Sequence, residues 1–323
     1  MQAQRRKSIL VAGSSHPELA LELSELTGLE LFPLSLFCFP DGERRVQLSG
    51  SVLGKQAFVV QSLGRAPNEL LVETLLIVDA LRRGGAERIV LVCPYLAYSR
   101  QNVQETEGVS VAARLFADFM QHAGVSHLIT VDLHTDVVGS FYTFPVEHIS
   151  ARDAFCTALK EQNLLGPECV VVGPDLGASK LAARYSRKLL EDGVVAGNAQ
   201  TLALIEKRRD SARQVTMLSL LGEVRGKNVL LADDVCSTAQ TLLSASFICR
   251  ERGAKQIFAC VTHGIFSEDA LKRLDESPIE RLFVSNTVAH LGQTSAKLCI
   301  VSIARDIARC ITRLVKEKEE QFI

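Results

Sequence analysis

Nine short runs rich in β-branched and aliphatic residues recur along the chain, and amphipathic stretches of helical length separate most of them. No other feature restricts the fold as much. The runs lie at 8–12, 57–61, 88–93, 127–132, 169–172, 228–233, 256–262, 281–285 and 298–302. The helical stretches fall at 17–26, 68–83, 109–122, 151–162, 178–191, 240–252 and 303–318. Alternation of this kind predicts an α/β fold with parallel sheets, and right-handed crossovers put helices on both sheet faces. At Gly85, Gly124 and Gly253 a glycine at a helix end leads straight into the next strand. That is a common helix-to-strand turn, and by itself it does not establish an internal repeat.

A chain of 323 residues is long enough for two domains with separate cores. Counting elements puts a boundary near Ile149, giving domains at 1–149 and 150–302, with 303–323 a C-terminal helix packing back on the first. Lys+Arg (36) and Asp+Glu (37) nearly cancel, so no global field holds nucleic acid or an anionic membrane. Any anionic ligand must be held by local features. The nine cysteines are scattered, with no CxxC pair or His-Cys cluster of metal spacing, which predicts reduced thiols. The apolar run after Arg5, Arg6 and Lys7 is too short for a signal sequence, and no stretch is long and apolar enough to span a bilayer. A cytoplasmic protein is expected.

The segment richest in chemistry is 229–241, where an apolar strand ends in Asp233 and Asp234 and a loop of small residues opens a helix. Ligands of open α/β sheets bind at such strand ends. The loop N–H groups, the helix N-terminus and the hydroxyls of Ser237, Thr238 and Thr241 suit a phosphate, while the acids can accept hydrogen bonds from a polyol. A sugar phosphate meets both demands. A lone Asp-Asp pair is more often just a strand end; the clustered hydroxyls and the following helix turn the balance toward a site.

In this segment the chain resembles the ribose-phosphate pyrophosphokinase family, the phosphoribosyl pyrophosphate synthetases, and the likeness runs nearly the whole length. Its further marks come in order: Phe39-Pro40-Asp41-Gly42-Glu43, Tyr95 through Gln101, Thr130 through His134, Gly173 through Gly177, and Ile205 through Arg209. The resemblance implies two phosphoribosyltransferase-like domains, each a mainly parallel sheet with helices on both faces. ATP would be held by the first and ribose 5-phosphate by the second. It implies that Phe39, Asp41 and Glu43 reach ATP from a neighbouring subunit, that Arg100 and Gln101 hold the same nucleotide, and that His134 and Asp175 are Mg²⁺ ligands. Asp233, Asp234, Ser237, Thr238, Ala239, Gln240 and Thr241 would bind the sugar phosphate. Lys207 and Arg209, on a basic hairpin or loop, would stabilise charge on the transferring diphosphate. A homo-oligomer built on dimers follows, with a hexamer as one size it could take.

The match is imperfect in the sugar-phosphate loop, where Ala239 and Gln240 stand for two glycines of the family pattern. Gln240 is expected to be the more serious change, because glycine allows unusual dihedrals and close phosphate approach. Two other readings share part of the pattern. A non-catalytic regulatory paralogue is favoured by Gln240 and opposed by Lys207, Arg209, His134 and Asp175. A phosphoribosyltransferase shares the acid-acid loop but not the ATP-like motifs.

Overall fold

A computed structural model describes residues 8–196, 201–210, 215–267, 269–290, 292 and 294–320; the side chains of 207–210, 215–218 and 318–320 lie outside that description. The chain divides into two compact units, each treated by itself.

The first unit opens with β1 (Ser8–Ala12), α1 (Pro17–Thr27), β2 (Glu30–Leu31), β3 (Leu34–Cys38), β4 (Arg44–Leu48) and β5 (Gln56–Val60). It continues through α2 (Pro67–Arg83), β6 (Arg88–Val92), α3 (Ala112–Ala123), β7 (His127–Val131) and β8 (Val146–Ile149). Six strands form one sheet in the order β2-β1-β5-β6-β7-β8, and every pairing in it is parallel. A parallel sheet has helices over both faces, so its strands are apolar on both sides instead of alternating. Hence β5 is buried along its whole length. Ile9, Val11, Ala57, Val59, Ile89 and Leu91 share one face and pack with Ile77, Val78 and Leu81 of α2 and Phe116 and Met120 of α3. Each such side chain contributes roughly 1.5–3 kcal/mol on burial. The strands β3 and β4 form a separate antiparallel hairpin.

The second unit holds α4 (Arg152–Glu161), β9 (Val170–Gly173), α5 (Ser179–Glu191), β10 (Leu202–Asp210), β11 (Val215–Leu221) and β12 (Asn228–Cys236). After these come α6 (Gln240–Glu251), β13 (Gln256–Gly264), α7 (Ala270–Asp275), β14 (Arg281–Ser285) and β15 (Leu298–Val301). Their sheet runs β11-β10-β9-β12-β13-β14-β15, with β10–β11 its one antiparallel pairing among the described residues. The chain then returns to the first unit as α8 (Ala304–Glu320), which packs on α1 and β8.

All nine expected strands and all seven expected helices form, with ends shifted by at most a few residues. The two sheets share one plan. In each, the first strand is followed by a helix and a hairpin, and the next strand lies on the first strand's other side before the order runs outward. Gly85, Gly124 and Gly253 all take positive φ, at 80°, 119° and 86°, so the three look-alike turns are alike in conformation as well. Not anticipated were β2, the β3–β4 hairpin, β8 and the short α7. Six of the nine cysteines are buried, and burial pushes the thiols of Cys93, Cys156, Cys169, Cys236 and Cys249 up to about 12, so they stay protonated. Among the described residues no helix is long and apolar enough to cross a membrane.

The β1-to-α1 turn is packed to its limit. A Cβ on Gly13 would lie 2.2 Å from Oε1 of Gln61, whose amide donates to Glu73 at 2.7 Å. Gly13→Ala must therefore displace Gln61, and chemical denaturation should show a loss of about 1–3 kcal/mol, the usual cost of overpacking. A variant as stable as the parent would mean that the turn is looser than its contacts imply.

Candidate active site

Both sheets present loops at the carboxyl ends of their central strands, where open α/β sheets bind ligands. In the second unit Asp233 and Asp234 lie near the end of β12, where Asp233 pairs with Val261 of the neighbouring β13. The backbone N–H of Asp234 donates to Oδ1 of Asp233 at 2.9 Å. Asp175 follows the end of β9, the strand on the other side of β12, and its Oδ1 accepts from the N–H of Ala178 at 3.0 Å, steadying the turn into α5. Burial, then the charges of Asp234 and Asp175, push the Asp233 carboxyl up to about 8. From the sequence, Asp175 is expected as a metal ligand and Asp233 and Asp234 as sugar-phosphate ligands; the fold brings all three to one sheet edge.

The loop after β12 is held by the segment that follows the neighbouring β13. Ile265 and Phe266 donate their N–H groups to the carbonyl of Cys236 at 2.9 and 3.2 Å, and Ser267 donates to the carbonyl of Ser237 at 3.1 Å. The hydroxyls of Ser237 and Ser267 are 3.0 Å apart. Ser267 was not foreseen, because a serine beyond the next strand carries no motif of its own.

Ala239 precedes α6 with φ 61°, in the left-handed region, and its carbonyl accepts the N–H of Leu243 at 2.9 Å. For a residue with a Cβ this costs about 1–2 kcal/mol. Gln240 is the first residue of α6 and has no positive φ. The expectation that Gln240 replaces the dihedral-critical glycine is thus corrected: the position that needs glycine's freedom is 239, and a glutamine is at home in a first helical turn. Thr238 and Thr241 flank this point and are half-buried.

Lys207 and Arg209 lie on β10, opposite Leu218 and Thr216 of β11, so the basic segment is a strand of a hairpin. Their side chains lie outside the described residues.

In the first unit Phe39, Asp41 and Glu43 form the turn of the β3–β4 hairpin. The N–H of Phe39 donates to the carbonyl of Glu43 at 2.8 Å, that of Gly42 to the carbonyl of Phe39 at 2.9 Å, and that of Glu43 to Oδ1 of Asp41 at 3.1 Å. Phe39 is 43% exposed, a ring left free to stack on something. Arg100 and Gln101 are exposed on the loop after β6, where Gln101 donates its N–H to the carbonyl of Tyr98 and accepts from Ala113 at the start of α3. His134 is exposed on the loop after β7. Asn102 joins these two loops, donating to the Thr135 hydroxyl at 2.6 Å. Arg100, Gln101 and His134 therefore share one sheet edge, and the hairpin turn is anchored through Arg44 to Glu73 on α2, at the ends of β1 and β5.

A strand–loop–helix with paired acids and clustered hydroxyls, in a unit built on this sheet plan, defines a protein of phosphoribosyl chemistry. The sequence patterns of the N-terminal domain of ribose phosphate pyrophosphokinase and of the phosphoribosyl synthetase-associated domain match residues 8–124 and 176–322. The ribose-phosphate pyrophosphokinase of Thermosipho africanus is 32% identical over 98% of this chain and 97% of its own length. That of Aquifex aeolicus is 35% identical over 94% and 95%. The crystal structure of phosphoribosylpyrophosphate synthetase from Mycobacterium smegmatis superposes with a TM-score of 0.89 at 32% identity, covering 96% of this chain and 99% of that one. The chain belongs to the ribose-phosphate pyrophosphokinase family.

The raised Asp233 carboxyl has a consequence for stability. Its affinity for a proton is higher folded than unfolded, so its contribution is full below about pH 4 and is lost as pH rises through about 8. In the ligand-free protein Asp233→Asn should therefore raise Tm relative to the parent by an increment that grows between pH 5 and pH 8, by at least about 2 °C. An increment that is constant with pH would show that Asp233 ionises at an ordinary value.

Proposed function

We propose that this chain transfers the terminal diphosphate of ATP to the anomeric hydroxyl of ribose 5-phosphate, giving phosphoribosyl pyrophosphate and AMP. The observation that carries this reading is the Asp233–Thr241 segment, where two acids, three hydroxyls and a strained helix entry meet at the end of a central strand. The acids face a polyol and the loop with the helix N-terminus faces its phosphate. Ser237, Thr238, Ala239, Gln240 and Thr241 bind the 5-phosphate, through hydroxyls and backbone N–H groups. Asp233 and Asp234 accept from the ribose 2- and 3-hydroxyls.

In the reaction the sugar O1–Pβ bond forms, the bridging oxygen–Pβ bond breaks with AMP as leaving group, and the hydroxyl proton passes to water. Negative charge grows on the equatorial and leaving oxygens, and Lys207 and Arg209 of the β10–β11 hairpin stabilise it. Arg100 grips ATP phosphate with its planar fork and Gln101 adds a neutral donor. Phe39 stacks on the adenine, while Asp41 and Glu43 accept from its amino group and ribose. These three act on the nucleotide of a neighbouring subunit, so the working form is a homo-oligomer built on dimers.

Mg²⁺ fits the chemistry of the residues. Among the described residues no three His, Cys, Asp or Glu groups form a ready-made cage. Mg²⁺ is ordinarily held by one or two carboxylates together with phosphates and water, and the gathering of Asp175, Asp233 and Asp234 at one sheet edge suits a cation. By the family resemblance its candidate ligands are Asp175 and His134. Bound there, the ion would neutralise phosphate charge and make the sugar hydroxyl more acidic.

Incubating the protein with Mg²⁺, ATP and ribose 5-phosphate should yield AMP and phosphoribosyl pyrophosphate in equal amounts. Lys207→Ala should lower kcat by about 10²-fold or more, the scale for removing one preorganised transition-state donor. Sugar-independent AMP release, or no product with ATP binding intact, would contradict the reading.

A further inference from the structure

The β3–β4 hairpin belongs to neither large sheet, so backbone pairing does not set where its turn points. Leu34, Leu36, Val46 and Leu48 rest one face of it on the first unit's core. Apolar contacts of this sort are non-directional. At the turn's end the fixing is of another kind. Arg44, the residue after Glu43 and the partner of Cys38 across the hairpin, forms an ion pair through Nη1 with Oε2 of Glu73. The Glu73 side chain is 1% exposed and that of Arg44 28%.

Glu73 is itself held on several sides. Its Oε1 accepts from the Ser14 N–H at 2.7 Å and from the Gln61 amide at 2.7 Å, and its Oε2 accepts from the Ser14 hydroxyl at 2.9 Å as well as from Arg44. Gln61 in turn accepts the Ser15 N–H at 3.1 Å. One carboxylate on α2 thus ties together the ends of β1 and β5 and the root of the hairpin turn. The turn is closed by its own hydrogen bonds from Phe39 to Glu43, so it moves as one piece with Arg44. A charge-assisted bond to such a saturated anchor fixes direction as well as distance.

We propose that Arg44, held by Glu73, is a positioning residue for ATP: the pair aims the Phe39–Glu43 turn at the nucleotide without touching it. This rests on the reading above that the turn meets ATP. A merely structural role, neutralising a buried carboxylate, would affect stability and leave discrimination between the two substrates alone.

The chain has no tryptophan, so Phe39→Trp places a single indole in the turn. In that background Arg44→Ala should lower the indole's fluorescence anisotropy without any ligand, and Arg44→Lys should restore it. Glu73 keeps its Ser14 and Gln61 donors in both, so the fold survives. In the otherwise native chain Arg44→Ala should raise KM for ATP roughly tenfold, the equivalent of one charge-assisted hydrogen bond, while KM for ribose 5-phosphate and kcat change by less than about twofold. Leu48→Ala, at the far end of the hairpin, should lower Tm and leave KM for ATP in place. Unchanged anisotropy, or an equal rise in KM for both substrates, would overturn the proposal. If the parent makes no product, the functional reading fails, and the anisotropy comparison still decides whether Arg44 positions the turn.

Discussion

Burial of Asp233 beside two other acids at the carboxyl ends of β9 and β12 is the constraint on which the second unit turns. Asp233 holds its proton up to about pH 8 because burial strips its water and Asp234 and Asp175 oppose a further negative charge. A protein selected for stability alone would replace one of these acids. Keeping all three fits a site where a ligand or cation relieves the crowding, and such local violations of good folding practice are expected at functional sites.

The first unit solves the same problem in the opposite way. Glu73 is as deeply buried as any acid among the described residues, yet it receives donors from Ser14, Gln61 and Arg44. Its charge is satisfied internally, and its role is to hold elements together. The two halves share a sheet plan, and the contrast is between a carboxylate tied by four hydrogen bonds, an anchor, and a carboxyl crowded by two further acids, at the proposed binding site. The left-handed Ala239 belongs with the second kind: its strain persists because the loop is clamped on both sides, by Ser267 and by the first turn of α6.

Much of this was legible in the sequence. Strands buried on both faces read as near-continuous apolar runs, so β1, β5, β6, β7, β9, β12 and β13 stood out with their connecting helices. The loop motifs marked Asp175, the Asp233–Thr241 segment and the basic strand of β10. The β3–β4 hairpin did not stand out, because it lies on the core with one face only, and its Leu34 and Leu36 are spaced too briefly to separate from a loop. Glu73 looked like an ordinary acid in an amphipathic helix; its burial depends on partners 59, 29 and 12 residues away. The dihedral at 239 was misassigned to 240 for a related reason: a motif shows which residues are small, and backbone geometry shows which of them must be.

Substrate and cation together should relieve the crowding of the second unit's acids. Carboxyl carbon NMR of the aspartates across a pH titration measures it directly. Asp233 should titrate near 8 in the free protein, and its midpoint should fall by more than one pH unit when Mg²⁺ and ribose 5-phosphate are added together. A free-protein midpoint near the ordinary aspartate value, unmoved by either ligand, would contradict the account.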